Sequence, residues 1–422
     1  MHALSASFFL QMAVILVACR LVGMVARKLG QPQVVGEMIA GVLLGPSLLG
    51  QLWPGAAEWI FTKESRSILY VGAQLGVGLY MFLVGLEFRT DHFRSRARSA
   101  ACVSIAGMLV PFLLGALLVP WLREVPGIFS PKLRHFEAAL FLGAAIAITA
   151  FPMLARIISE RGLSGTPLGT LALAAGAIDD AAAWCVLAVV LATFGASQPM
   201  VVGGFTIGAE LVAIGGSLLY GIVALTIGKR LLAGLGRRAE RDAGVSDAML
   251  AVVLALFCLA AWYADIIGVH AVFGGFILGI AMPRGVFADD IRKKLEPFAV
   301  VFLLPMFFTF SGLNTQLDLL VDPRLLLVGG AILLASMLGK FVACWAAARL
   351  NGEDSATALA VGTLMNARGL MELIIINIGL QHGIIGEALF SILVMMAIVT
   401  TLMATPLFER VYGRKMPRGS SV

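Results

Sequence analysis

Two adjacent aspartates, Asp179 and Asp180, lie at the centre of an apolar run that extends from Leu168 to Phe194. No other charged residue lies within ten positions of the pair on either side. An ionised side chain at mid-bilayer depth costs about 2.5 to 3.5 kcal/mol on insertion scales, and such residues usually face a water-filled path or an ion site. The pair therefore predicts the transport of a cation.

The composition is typical of a membrane protein with many spans. The chain has 422 residues, of which 59% are hydrophobic and 13% are charged, and its mean hydropathy is +0.94. Soluble domains contain about twice as much charge. Apolar stretches long enough to cross a bilayer as helices recur along the chain. We predict thirteen of them, at approximately 8–26, 33–53, 67–88, 99–121, 136–160, 167–194, 201–231, 245–264, 267–283, 296–313, 324–349, 355–381 and 384–410.

The distribution of basic residues predicts the orientation of the chain. With an odd number of helices, we place the N-terminus outside and the C-terminus in the cytoplasm. Of the 31 lysines and arginines, 22 then fall in inner segments and six in outer segments, as the positive-inside rule requires. This asymmetry explains the net charge of +6 without a nucleic-acid partner. We expect an integral protein of a bacterial inner (plasma) membrane, with the first span retained and not cleaved as a signal peptide.

A weak internal similarity predicts a duplication with opposite orientation. Residues 35–41 in the second predicted helix resemble residues 273–279 in the ninth, and residues 81–87 in the third resemble residues 307–314 in the tenth. Helices one to six and eight to thirteen are then two six-helix units, and the linking helix at 201–231 inverts the second unit. Inverted-topology repeats of this kind are common in secondary transporters, which bind their substrate at the repeat interface.

Two helices at corresponding positions of the repeat are predicted to be broken at mid-span. The fifth contains Thr-Ala-Phe-Pro at 149–152, where proline lacks the N–H that a continuous helix needs. The twelfth contains Asn-Ala-Arg-Gly at 366–369, which is polar and interrupted by glycine. Crossed broken helices present half-helix ends and free backbone groups to a bound ion.

Few ionisable residues lie away from the predicted water interfaces, and they form a candidate site. Asp179 and Asp180 point about 100° apart on their helix, so one can bind a cation while the other contacts the buried ammonium of Lys340. A buried lysine exchanges its proton readily. Arg368 and Glu372 lie four residues apart, and they either pair with each other or also offset the exposed helix dipoles.

Two polar residues of the predicted breaks complete the candidate set. Thr149 can supply a hydroxyl or carbonyl oxygen near the ion, and Asn366 is expected to serve a structural role at the helix ends. The five cysteines fall inside predicted helices without close spacing, so we expect no zinc site, no disulfide and no resident cofactor. We also expect no enzyme, because an intramembrane aspartyl protease needs its two aspartates on separate helices.

These residues resemble the monovalent cation:proton antiporters, most closely the two-aspartate bacterial sodium/proton antiporters. The resemblance implies that Asp180 binds the ion and that Asp179 is the partner of Lys340. Thr149 would be part of the crossing of broken helices. The motifs that carry the resemblance are GQPQVVGE at 30–37 with Gly41, LGPS at 44–47, AIDD at 177–180, LGK at 338–340 and NARGLME at 366–372.

The resemblance also implies a homodimer of thirteen-helix protomers, each with a dimerisation domain and a moving ion-carrying core. We expect a single membrane transporter domain over 1–422. Within it, 8–121 and 245–313 would contain dimerisation and scaffold helices, and 136–194 and 324–410 most of the ion-carrying core.

Together these features predict a secondary active antiporter that exchanges Na⁺ or Li⁺ for protons, electrogenically and by alternating access. Cations and protons would compete for Asp180 and Asp179, and the other partner is membrane lipid. Residues 368–374 and 377–379 look closer to a potassium-handling branch of the family, so potassium/proton exchange is an alternative. Sodium-coupled uptake of an organic anion and an ion channel are further alternatives.

Overall fold

A computed structural model describes residues 2–87, 96–163, 166–193, 200–202, 205–207 and 209–413. Nearly all of these residues are helical. The helices are α1 (His2–Lys28), α2 (Gln33–Leu44), α3 (Leu49–Leu52), α4 (Pro54–Ile60), α5 (Lys63–Glu87), α6 (Ala97–Leu122), α7 (His135–Ala147), α8 (Phe151–Glu160), α9 (Pro167–Thr193), α10 (Ala209–Val223), α11 (Lys229–Arg241), α12 (Asp247–Ile266), α13 (Ala271–Ala281), α14 (Val286–Phe298), α15 (Leu304–Leu313), α16 (Pro323–Leu350), α17 (Ser355–Leu364), α18 (Leu370–Gln381) and α19 (Glu387–Tyr412). Two π-helical turns, Ala224–Gly228 and Ala299–Leu303, join α10 to α11 and α14 to α15, and a 3₁₀ turn covers Leu317–Val321.

The all-helical membrane fold is confirmed, and strands in the described ranges are limited to one short hairpin. Strand β1 (Met200–Val202) pairs antiparallel with β2 (Phe205–Ile207). Both are rich in the β-branched and aromatic residues that favour extended pairing. The predicted linking helix at 201–231 is therefore wrong at its start, because α10 begins at Ala209 and continues through a π-helical turn into α11.

Nine helical stretches within the described part of the chain are long and apolar enough to cross a membrane. They coincide with nine of the thirteen predicted spans. The other four correspond to α9, to the short helix α13, and to the pairs α7–α8 and α17–α18. The halves of these pairs are 10 to 13 residues long, so none of them crosses a bilayer alone. The total of thirteen spans stays a prediction.

The helices form two compact units. The first contains Met1–Val17, Glu58–Arg89 and Leu187–Phe310, and the second contains Ala18–Ala57, Thr90–Val186 and Ser311–Val422. In the second unit, α8, α9, α16, α17 and α19 share one hydrophobic core, with buried members that include Leu154, Leu171, Cys344, Leu364 and Phe408. Every predicted site residue belongs to this second unit.

Glycines permit very close helix contacts within each unit. In the first unit, a Cβ on Gly279 of α13 would lie 2.1 Å from the carbonyl oxygen of Phe82 in α5. In the second unit, a Cβ on Gly312 of α15 would lie 2.0 Å from the backbone of Gly41 in α2. Small residues let helix backbones approach in this way, and a larger residue would force them apart. The first contact joins predicted helices three and nine, and the second joins predicted helices two and ten. The predicted repeat would exchange these two contacts, and the repeat itself stays a prediction.

Candidate ion-binding site

The two predicted helix breaks are present and touch each other. Residues 148–150 separate α7 from α8, and residues 365–369 separate α17 from α18. The Ala150 N–H donates to the Ala367 carbonyl oxygen at 3.0 Å. Pro152 is the second residue of α8, a first-turn position where the missing N–H leaves no helical hydrogen bond unmade. The chain therefore ends α7 and starts α8 with little loss of helical hydrogen bonds. The ends of both helices lie at the crossing.

Asp179 of α9 is fully buried beside this crossing. Its Oδ1 accepts a hydrogen bond from the Ser104 hydroxyl at 2.5 Å. Its Oδ2 accepts from Lys340 Nζ at 3.0 Å and lies 2.7 Å from the Thr149 hydroxyl. That hydroxyl also lies 2.9 Å from the Met365 carbonyl oxygen, and it has only one proton to donate. The Asp179 carboxylate thus contacts one ammonium and two hydroxyls.

Lys340 of α16 provides the cationic partner of Asp179. Its side chain is fully buried, and Nζ also donates to the carbonyl oxygen of Ala147, the last residue of α7. An ammonium at the C-terminus of a helix is stabilised by the partial negative charge there. The predicted contact between Asp179 and Lys340 is present, and it is joined to the end of a broken helix.

Arg368 also binds the C-terminal end of α7. Its Nη1 donates to the carbonyl oxygens of Ala145 at 3.4 Å and Ile148 at 3.2 Å. Its Nη2 donates to the Ile146 carbonyl oxygen and to the Ser336 hydroxyl. The guanidinium is fully buried, and three of its four contacts are with carbonyls at the end of α7. Of the two roles predicted for Arg368, helix termination accounts for most of its hydrogen bonds.

The backbone of Arg368 is held by a residue of α19. The Thr401 hydroxyl accepts a hydrogen bond from the Arg368 N–H at 3.2 Å. The same hydroxyl lies 2.9 Å from the Arg368 carbonyl oxygen and 2.7 Å from the Ala397 carbonyl oxygen. One buried threonine therefore provides an acceptor for the Arg368 N–H in the second helix break, which would otherwise be costly to leave unpaired inside a membrane.

Glu372 and Asn366 are buried and only partly satisfied. Glu372 Oε2 lies 3.4 Å from Arg368 Nη1, but neither carboxylate oxygen accepts a hydrogen bond from a described residue. The Asn366 amide donates to the Gly362 carbonyl oxygen at 3.1 Å, and no described residue donates to its Oδ1. At the second helix break, Arg368 therefore has partners for both terminal nitrogens but none among the described residues for Nε. Asn366 in the break and Glu372 just after it both have unsatisfied acceptor atoms.

The structure gathers most of the predicted site. Asp179, Lys340 and Thr149 are in direct contact. Asp180 is the next residue in α9, but its side chain lies outside the part of the chain that the structure describes. The ion-binding roles of these residues stay predictions.

Sequence reasoning missed three hydroxyl residues of the site. Ser104 and Ser336 contact the charged groups of Asp179 and Arg368, and Thr401 contacts the backbone of Arg368. Isolated serines and threonines are common in membrane helices, so no motif distinguished these from the rest.

We expect Ser104→Ala to lower the thermal stability of the purified protein. Removing one donor from a buried carboxylate costs about 1 to 3 kcal/mol. Thr400→Val is the matched control, because the Thr400 hydroxyl contacts only carbonyls of its own helix. Melting curves of both variants in detergent test this expectation. Equal losses in the two variants would contradict a special role for the Ser104 hydroxyl.

An apolar helical chain with two broken helices crossing beside a buried carboxylate has the architecture of a secondary transporter. The family described as "Sodium/hydrogen exchanger, transmembrane" matches residues 13–411, and the chain belongs to this family. It is an integral membrane protein that exchanges monovalent cations for protons.

Individual relatives agree with this assignment. The Na(+)/H(+) antiporter NhaS4 of Synechocystis sp. is 37% identical over 403 residues, which cover 94% of this chain and 95% of that protein. The K(+)/H(+) antiporter 1 of Saccharomyces cerevisiae is 32% identical over 415 residues, which cover 96% of this chain and 46% of the yeast protein. The solved structure of the sodium proton antiporter MjNhaP1 from Methanocaldococcus jannaschii has a similar fold, with a TM-score of 0.66, 16% identity and 98% of each chain covered.

Proposed function

We propose that this antiporter exchanges Na⁺ or Li⁺ for protons by alternating access, with Asp180 as the cation-binding carboxylate and Asp179 and Thr149 beside it. The observation that carries the proposal is the buried contact between Asp179 and Lys340 at the crossing of two broken helices. The similarity to NhaS4, which is named as a Na⁺/H⁺ antiporter, supports Na⁺ as the cation.

Competition at the carboxylate is enough to couple the two ions. A cation binds only an ionised Asp180, and a proton that arrives from the other side neutralises the same group. The carrier therefore crosses the membrane loaded with one ion or the other. Family membership favours this antiport cycle over the channel and the organic-anion symport alternatives.

The pair formed by Asp179 and Lys340 can contribute a second proton. A cation bound near Asp179 competes with the Lys340 ammonium for the carboxylate. A buried lysine that loses its anionic partner loses its proton readily. A cycle in which Lys340 releases and regains a proton moves about two protons for each Na⁺, so it transfers net charge across the membrane.

Potassium/proton exchange is the second candidate. It is supported by the similarity to a yeast protein named as a K⁺/H⁺ antiporter and by residues 368–374, which resemble the potassium-handling branch. The two candidates share the same site residues and differ only in the size of the cation.

An ion panel on purified protein in liposomes separates the candidates. We expect Na⁺ and Li⁺ to drive proton movement, reported by a trapped pH dye, several-fold faster than K⁺ does at alkaline pH. A voltage-sensitive dye in the same vesicles should report charge movement. Protein-free liposomes are the control. A response to K⁺ alone would replace the sodium proposal with the potassium one, and a response without charge movement would remove the second proton.

We also propose a homodimer in the bacterial inner membrane, with the N-terminus outside and the C-terminus in the cytoplasm. In this arrangement 8–121 and 245–313 contain the dimerisation and scaffold helices, and 136–194 and 324–410 contain most of the moving core. The location of all candidate site residues in one compact unit supports a separate ion-carrying core.

A further inference from the structure

We infer that Glu372 is a proton-binding site of its own, distinct from the aspartate pair. The inference deepens the proposed function, because it assigns a second place where a proton acts on cation binding. It depends on the hydrogen bonds around Arg368, Glu372 and Asp179.

The first step is a count of donors on Arg368. A guanidinium has four N–H groups on its two terminal nitrogens. In this site Nη1 and Nη2 together have four oxygen partners, none of which belongs to Glu372. The fifth N–H, on Nε, has no hydrogen-bond partner among the described residues. Glu372 Oε2 lies 3.4 Å from Nη1, so Glu372 feels the positive charge without accepting a hydrogen bond.

Second, Glu372 and Asp179 are both buried, but their surroundings differ. Asp179 contacts an ammonium and two hydroxyls, whereas Glu372 has no described donor on either oxygen. Glu372 is only 1% exposed. Hydrogen bonds to the charged form of a carboxylate favour that form, and burial without them favours the neutral form. Proton uptake by Glu372 therefore breaks no hydrogen bond with a described residue, whereas proton uptake by Asp179 would disrupt its contact with the Lys340 ammonium.

The third step concerns the charges that allow Glu372 to release the proton again. Arg368 and the more distant Lys340 are the charged side chains that act on it, and Glu372 lies in the first turn of α18, where the helix dipole favours an anion. The helices α7 and α19 pack against α18, and their charged residues lie near the helix ends. Arg368, Lys340 and the N-terminus of α18 thus favour the ionised form of Glu372, whereas burial favours the neutral form. Glu372 can therefore bind a proton and release it again.

Protonation of Glu372 has a direct consequence for the ion site. The neutral acid leaves the charge of Arg368 without its counter-charge in the same compact unit as Asp179 and Asp180. Two unit charges about 10 Å apart, at an effective dielectric constant near 20, repel each other strongly enough to weaken the binding of a monovalent cation on the order of tenfold. Protons then oppose cation binding from a site that the cation does not occupy.

An infrared titration of purified protein without Na⁺ or K⁺ tests the site itself. We expect a protonated-carboxyl band that grows on acidification in the wild type, is missing in Glu372→Gln, and persists at a shifted frequency in Glu372→Asp. Glu137→Gln is the matched control, because Glu137 is also buried but accepts two hydrogen bonds from Arg134. A wild-type band in Glu372→Gln would overturn the inference.

A transport assay tests the consequence. In proteoliposomes, we expect Glu372→Gln to raise the KM for Na⁺ on the order of tenfold at alkaline pH and to flatten the dependence of KM on pH, because the variant imitates the protonated state. An unchanged pH dependence of KM would contradict the coupling. If the wild type were to prefer K⁺, the proposed function would fail while the cation-free infrared titration would still report on Glu372.

Discussion

We expect the Asp180→Asn variant to lose cation-dependent proton exchange completely, while Asp179→Asn retains a reduced rate. An amide cannot bind a proton at physiological pH or balance the charge of a cation. The Asp179 carboxylate is already in contact with two hydroxyls and one ammonium, which leaves it little capacity for a cation. Asp180 is then the carboxylate of the pair on which both ions depend.

Everted membrane vesicles with a pH-sensitive dye provide the measurement, with Na⁺ added after acidification. Asp322→Asn is a suitable control, because Asp322 is exposed and caps the start of α16, a role that asparagine fills equally well. Its exchange rate should match the wild type at equal protein level. Full exchange in Asp180→Asn would remove this residue from the mechanism.

The broken helices could be predicted from sequence because residue types that disfavour a continuous helix occur at both breaks. Proline at 152 removes a donor, and residues 366–369 place a polar, glycine-containing segment inside an apolar helix. Lys340 was the one buried ammonium available to the aspartate pair, and the resemblance to the cation:proton antiporters implied that Asp179 is its partner. Each of these predictions depended on a residue that is energetically costly inside a membrane, so that its presence there indicates a role.

Other features could not be predicted because their residues cost little free energy in a membrane helix, so their presence does not indicate a role. Ser104 and Thr401 are small hydroxyl residues that a membrane helix tolerates anywhere by bonding to its own carbonyls. Only tertiary structure shows that Ser104 contacts the Asp179 carboxylate and that Thr401 contacts the backbone of Arg368. Strand residues 201–202 and 205–207 were predicted as helix for a related reason. A short apolar run fits a helix or a strand equally well, and periodicity alone does not decide between them.

The sequence also could not show which of the two roles predicted for Arg368 uses most of its hydrogen bonds. A spacing of four residues to Glu372 favours an ion pair on any continuous helix. Arg368, however, lies in the break before α18, where its side chain reaches the end of α7. The sequence predicted both possible partners of Arg368, namely Glu372 and the exposed helix ends. The number of hydrogen bonds that Arg368 donates to each depends on the path of the non-helical segment before α18.

We expect Arg368→Met to be strongly destabilising, with a loss of about 3 to 5 kcal/mol in the free energy of unfolding. The change leaves the carbonyl oxygens of Ala145, Ile146 and Ile148 without this donor inside a membrane protein. Arg368→Lys should recover only part of the loss, because an ammonium cannot reproduce the planar fork of a guanidinium. Thermal melting in detergent measures the effect, and the exposed Arg324→Gln should remain within about 0.5 kcal/mol of the wild type.

A double-mutant cycle with Glu372→Met then separates helix termination from ion pairing. If Arg368 acts mainly on the end of α7, its loss is similar whether or not Glu372 is present, and the coupling energy at acid pH stays below about 1 kcal/mol. The ion pair requires an ionised Glu372, so its share of stability exists above the pH at which Glu372 binds its proton and disappears below it. The coupling energy should therefore rise from acid to alkaline pH while the cost of Arg368→Met in the Glu372→Met background stays constant. A coupling energy that is large and independent of pH would mean that Arg368 serves chiefly as the permanent counter-charge of Glu372, and that the carboxylate never takes up a proton.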